Sequence, residues 1–160
     1  MWDHACRTPA LRVNWHAGQV TDTGAGNAGP PDPGLELPPT ADAAFIARRY
    51  IRTRLDALGR TDLEDTLTLA ASELVTNAAI HAGTPLVVRL DVSPAGTVRL
   101  TVSDASSALP RQRSRPPTST TGRGLTILEA LGTFGVEPEP DFSGKAVWFE
   151  PFPVSVDGMT

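Results

Sequence analysis

Glu73 and Asn77 stand four residues apart in the run Ser72-Glu73-Leu74-Val75-Thr76-Asn77. On a helix that spacing puts both side chains on one face, a turn apart. A carboxylate there can take a proton, and an amide oxygen is a hard ligand suited to Mg²⁺. Asn is a poor helix-interior residue, so Asn77 asks for a reason other than propensity. His81 follows one turn further along the same face. Asp104 closes the strand-like run Val98-Arg99-Leu100-Thr101-Val102-Ser103. A carboxylate at a strand end can accept from an exocyclic amine such as that of adenine. Gly122-Arg123-Gly124 opens an apolar helix-like stretch. Glycines let backbone approach a phosphate, and the free N–H groups of a helix start favour an anion. It is not a Walker loop, because no Gly-Lys-Ser/Thr follows. Taken singly, each feature has a plainer reading: a solvated helix face, a turn-forming Asp, a simple glycine turn. The three in this order supply what a magnesium-bound adenine nucleotide needs.

The elements that must position these groups follow from periodicity. Phe45, Ile46, Tyr50, Ile51, Leu55 and Leu58 recur at helical spacing, with Thr40 or Asp42 as a cap and Arg48, Arg49, Arg52 and Arg54 largely on the other side. The next helix has Leu63, Leu67, Ala70, Leu74 and Ala78 as its core stripe, with Asp62 as cap and Asp65 three positions on. The Glu73/Asn77 face lies about 100° from Leu74 and Ala78, beside the core, where a cleft wall belongs. Leu86–Val92 and Thr97–Ser103 alternate around Pro94-Ala95-Gly96 and predict an antiparallel hairpin. Leu35–Leu37 reads as a short edge strand, Gly124–Leu131 as a helix, and Thr133–Val136 and Ala146–Phe149 as further strands, the last after an Asp141–Gly144 turn. Residues 105–121 have no period and the length of a functional lid. The order predicts an α/β protein, a two-layer sandwich with a mixed sheet on one side and helices on the other.

The chain has 160 residues and fits one domain with tails: a disordered segment over 1–33, a folded domain over 34–152 and a short tail over 153–160. The first segment is rich in Gly, Pro, Asp and Thr, and its Trp2 and Trp15 receive no role. Net charge is −4, which argues against a general attraction to nucleic acid or anionic lipid. Cys6 is the only cysteine, so no internal disulfide can form. With neither a secretory leader nor a run of ~20 apolar residues, the expectation is a cytoplasmic protein.

The combination of motifs resembles the Bergerat-type ATP-binding superfamily of gyrase, the heat-shock-90 chaperones and histidine kinases, and within it the anti-sigma-factor serine/threonine kinases. Ser72 to Ala82 matches the N-box, Val102-Ser103-Asp104 the adenine-binding strand end, Thr121 to Leu128 the second glycine box, and Gly144 to Phe149 the closing strand. The resemblance implies ATP and Mg²⁺ as ligands. Asn77 would hold the metal and Asp104 would take the adenine amine. Gly122, Arg123, Gly124 and Leu125 would line the phosphate end. Glu73 would be the general base toward a serine or threonine hydroxyl, and His81 would pack beside the site. The implied partners are an anti-sigma-factor antagonist, a sigma factor and a second copy in a homodimer.

The chain departs from the family pattern in three places. Ser106 stands where a glycine usually follows the adenine aspartate. Lys145 and Ala146 follow Gly144 where threonines are common, one of which assists adenine through water. Ser106 and Lys145 are therefore counted among the nucleotide-contacting positions without a matching residue type. The lid is short and carries Arg111, Arg113 and Arg115, as phosphate screens or as a solvated loop. Two other functions stay open: a nucleotide-dependent protein-binding module without turnover, and the detached catalytic domain of a histidine kinase.

Overall fold

The computed structural model of the chain describes residues 32–106, 123–138 and 144–153. Among the described residues five strands and three α-helices follow in the order β1 (Leu35–Leu37), α1 (Ala43–Ala57), α2 (Glu64–His81), β2 (Leu86–Val92), β3 (Val98–Asp104), α3 (Arg123–Leu131), β4 (Gly132–Pro138) and β5 (Lys145–Pro151). A single 3₁₀ turn over Thr61–Leu63 leads into α2. The strands form one sheet in the order β1-β2-β3-β5-β4.

Every pairing in that sheet is antiparallel, which corrects the expected mixed sheet. The reason lies in the path of the chain. After β3, helix α3 carries the chain back along the sheet, and β4 then runs in the same direction as β3. β5 hairpins back into the gap between them, so the two parallel strands never touch.

Alternation fixes which face is buried. Leu86, Val88 and Leu90 of β2, Val98, Leu100 and Val102 of β3, and Phe149 of β5 lie on the inner face, each 2% exposed or less. Against them pack Leu67, Ala70, Ala71, Leu74, Val75 and Ala78 of α2, Ala43, Ala47, Ile51 and Leu55 of α1, and Leu128 of α3. Burying one such aliphatic side chain contributes about 1.5–3 kcal/mol. An exposed ion pair such as Arg52–Glu64, at 2.9 Å, contributes about 0.2–1 kcal/mol. The inner face, not the charged surface, therefore holds the layers together.

The α2 stripe is as its spacing predicts. That of α1 is displaced: Phe45 is 53% exposed, under the Arg48 guanidinium, and the small Ala43 and Ala47 are buried instead. Phe45 lies about 200° round the helix from both Ala43 and Ala47, so the face that buries the alanines turns it outward. The caps also differ. α2 starts at Glu64 behind Leu63 without a side-chain cap, and Asp62 instead pairs with Arg60. At the hairpin, Gly96 takes a positive φ of 84° that a side chain would strain.

Candidate functional site

One end of the sheet gathers the chemistry-bearing positions. Leu86, Asp104, Lys145 and Pro138 form its last row, since Leu86 pairs with Asp104, Asp104 with Lys145, and Lys145 with Pro138. Directly opposed residues of antiparallel strands share a face, so Asp104 and Lys145 both point to the inner, helix-covered side. A short link, residues 82–85, joins the end of α2 to this row. Thr84 in that link accepts a hydrogen bond from the Ala105 amide at 3.1 Å. The C-terminal half of α2 and the end of β3 are thus tied together.

Helix α3 opens at the same end. Gly124 is buried, and a Cβ added there would overlap the Glu73 carboxyl group. The glycine of the second motif is therefore pressed against the carboxylate of the first, and no other residue type fits without moving Glu73. Asn77 lies one turn further along α2 and is half-buried. Leu125 packs against the core, which anchors the start of α3. Arg123 is the first residue of α3. Gly122 and most of the expected lid, with Arg111, Arg113 and Arg115, lie outside the described residues, as do the tail residues Trp2 and Trp15. His81 is the exposed last residue of α2.

Asp104 is more enclosed than the sequence suggests. Its side chain is 1% exposed, and Lys145 Nζ donates to Asp104 Oδ1 at 3.0 Å. The Ser106 amide donates to the same oxygen at 2.8 Å, and Nζ also reaches the Ser106 carbonyl oxygen at 3.4 Å. Ser106 and Lys145 therefore meet at Asp104. Gly144 is needed beside them, because a Cβ there would overlap the Asp104 carbonyl oxygen.

The electrostatics differ along the sheet. Asp91 lies on the outer face, and burial pushes its carboxyl above the ordinary value. The Asp32 charge adds to that rise, while the Asp32 amide and the Arg89 and Arg54 charges oppose it. Asp32 itself is a buried carboxylate to which sequence reasoning gave no role. It lies in a Gly/Pro-rich stretch with no period, and only its contacts disclose it. Its oxygens accept from the Gly34 amide at 3.0 Å, the Leu90 amide at 2.7 Å and the Tyr50 hydroxyl.

Among the described residues no group of three or more His, Cys, Asp or Glu side chains is placed to hold a metal. Mg²⁺ on a nucleotide asks for less, because it keeps its waters, binds phosphates and takes one or two protein oxygens. Asn77 fits that limited demand, with one amide oxygen a turn from the Glu73–Gly124 contact. Among the described residues no helix is long and apolar enough to cross a membrane. No protein-family model matches the chain, and no curated relative does.

Proposed function

We propose that the chain is an ATP- and Mg²⁺-binding regulatory protein of the Bergerat type that phosphorylates a serine or threonine on an antagonist protein and so controls the availability of a sigma factor. The observation that carries this reading is the packing of the Glu73 carboxyl against Gly124 at the start of α3, at the sheet end where Asp104 faces inward. Helix α2, which carries the proton acceptor, packs against both α3, with its glycine-containing start, and β3, with the carboxylate proposed to read the base.

In this reading Asn77 would hold the metal, and the chemistry the metal would supply there is charge neutralisation. Asp104 accepts from the adenine amine, and the backbone at Gly124 approaches the phosphates. Glu73 takes the proton of the acceptor hydroxyl as its oxygen bonds to the γ-phosphorus and the bond to the leaving ADP breaks. Catalysis is then mostly positioning and charge neutralisation. Calorimetry with ADP, with and without a magnesium chelator, tests the nucleotide step. Transfer of labelled phosphate from ATP to an antagonist protein tests the chemistry.

A second reading, a nucleotide-dependent binding module without turnover, is favoured by Ser106 and Lys145 standing on Asp104. Glu73→Ala separates the two. A kinase keeps ADP affinity and loses transfer by about 10²–10⁴-fold, whereas a binding module keeps nucleotide-dependent partner affinity unchanged.

A further inference from the structure

The last row of the inner face holds a donor and an acceptor that are each only partly used. Asp104 and Lys145 are directly opposed across β3 and β5. Asp104 Oδ1 already takes two protons, from Lys145 Nζ and from the Ser106 amide. Among the described residues, Oδ2 takes none. The Lys145 ammonium has three protons to give, of which two face Oδ1 and the Ser106 carbonyl oxygen. A carboxylate oxygen with spare capacity therefore stands beside an ammonium with a spare proton. Neither group can retreat easily. The lysine side chain is only 9% exposed, and Gly144 holds the start of β5 tight against the Asp104 backbone.

We propose that Lys145 reads the base directly, donating from Nζ to N1 of a 6-aminopurine while Asp104 Oδ2 accepts from the neighbouring 6-amine. This deepens, and rests on, the nucleotide reading above. The edge of adenine presents a donor next to an acceptor, which complements the free acceptor and donor of the pair. Guanine presents the reverse order, an acceptor at O6 and a donor at N1–H, so it must turn over to meet the pair, and its 2-amine then needs another acceptor. Oδ1, the obvious partner, is already doubly occupied. A buried amine left without an acceptor is costly, so the pair selects adenine over guanine. Lys145 is thus a specificity-determining residue that supplies a charged, direct donor to the base.

The test compares magnesium-dependent binding of ADP, 1-deaza-ADP and GDP by calorimetry, using the full chain. 1-Deaza-ADP keeps the 6-amine and replaces N1 by C–H. The unaltered protein should bind ADP about tenfold more tightly than 1-deaza-ADP, and more tightly than GDP. K145M should bind ADP and 1-deaza-ADP alike, and K145Q, which keeps an N–H donor, should restore part of the difference. Equal affinity of the unaltered protein for ADP and 1-deaza-ADP overturns the role given to Lys145 and leaves the nucleotide reading standing. That comparison needs no variant, so it decides even if K145M fails to fold. Tighter ADP binding by K145M than by the unaltered protein also overturns it, since the lysine then obstructs the base. Absence of any magnesium-dependent ADP binding overturns the nucleotide reading and this inference together.

Discussion

Asp32 and Asp104 are both buried carboxylates set against the same strand, β2. Asp104 stands opposite Leu86 at one end of it, and Asp32 takes the amide of Leu90 further along. Asp32 uses both oxygens: Oδ1 accepts from the Gly34 amide and the Tyr50 hydroxyl, and Oδ2 from the Leu90 amide, with Arg54 Nε at 3.7 Å adding charge. It continues the hydrogen bonding of β2 beyond the end of the three-residue strand β1, where the edge would otherwise be open. Asp104 concentrates its described bonds on one oxygen. Burial alone therefore does not mark a functional carboxylate. Hydrogen-bonding capacity left unspent among the described residues separates the two.

Removing each carboxylate puts that contrast to the test. Asp32→Ala leaves two backbone amides, a hydroxyl and a nearby guanidinium without their acceptor. It should cost about 3–5 kcal/mol in urea unfolding, with ADP affinity of the folded fraction unchanged. Asp104→Ala should cost less, about 1–3 kcal/mol, because only one backbone amide and one ammonium lose this acceptor and Lys145 keeps the Ser106 carbonyl oxygen. The same change should abolish magnesium-dependent ADP binding in calorimetry. Equal stability losses, or retained ADP binding by the second variant, would break the distinction.

Smaller changes sharpen it. Tyr50→Phe removes one donor to Asp32 and should cost about 1 kcal/mol. It should also remove an alkaline dependence. Burial, above all, together with the hydrogen bond to Asp32 and that carboxylate's charge, raises the Tyr50 phenol above its usual value. The folded state then holds the phenolic proton longer than the unfolded chain. The contribution is complete below pH ~10 and is lost as pH rises through the folded value. Stability measured on either side of pH ~10 should fall in the unaltered protein and fall less in the variant.

Asp91→Asn should have the smallest effect and the opposite sign. Its carboxyl is raised by burial and by Asp32, so the folded state favours the protonated form. The ionised carboxyl therefore opposes folding above the folded value, and that penalty disappears as pH falls below the unfolded value of ~3.9. The substitution should raise stability by roughly a few tenths of a kcal/mol at neutral pH. The gain should vanish in acid unfolding experiments.

Much of the architecture was legible because it is periodic. Leu67, Ala70, Leu74 and Ala78 repeat with the helical turn and are buried. The alternation of Leu86–Val92 with the strand after Gly96 made the hairpin readable, and it forms with Asp104 as its last residue. The buried face of α1 was misjudged because Ala43 and Ala47 carry little hydrophobic signal beside Phe45. At the candidate site, Glu73, Asn77 and Asp104 were legible as residue types at suggestive spacings. Their surroundings were not. Lys145 meets Asp104 across a separation of 41 residues, and Asp32 reaches Leu90 across 58.

By itself, then, the sequence determined which segments become helices and strands, which faces of α2, β2 and β3 turn inward, and which residue types stand at the ends. These are local consequences of a repeat of about 3.6 residues in one case and two in the other. Only the tertiary structure decided that β5 enters between β3 and β4, that the sheet is wholly antiparallel, and that Gly124 closes on Glu73 while Lys145 closes on Asp104. Such choices depend on register and on the packing of distant segments against a shared core, and no local repeat along a chain encodes the partner across the gap.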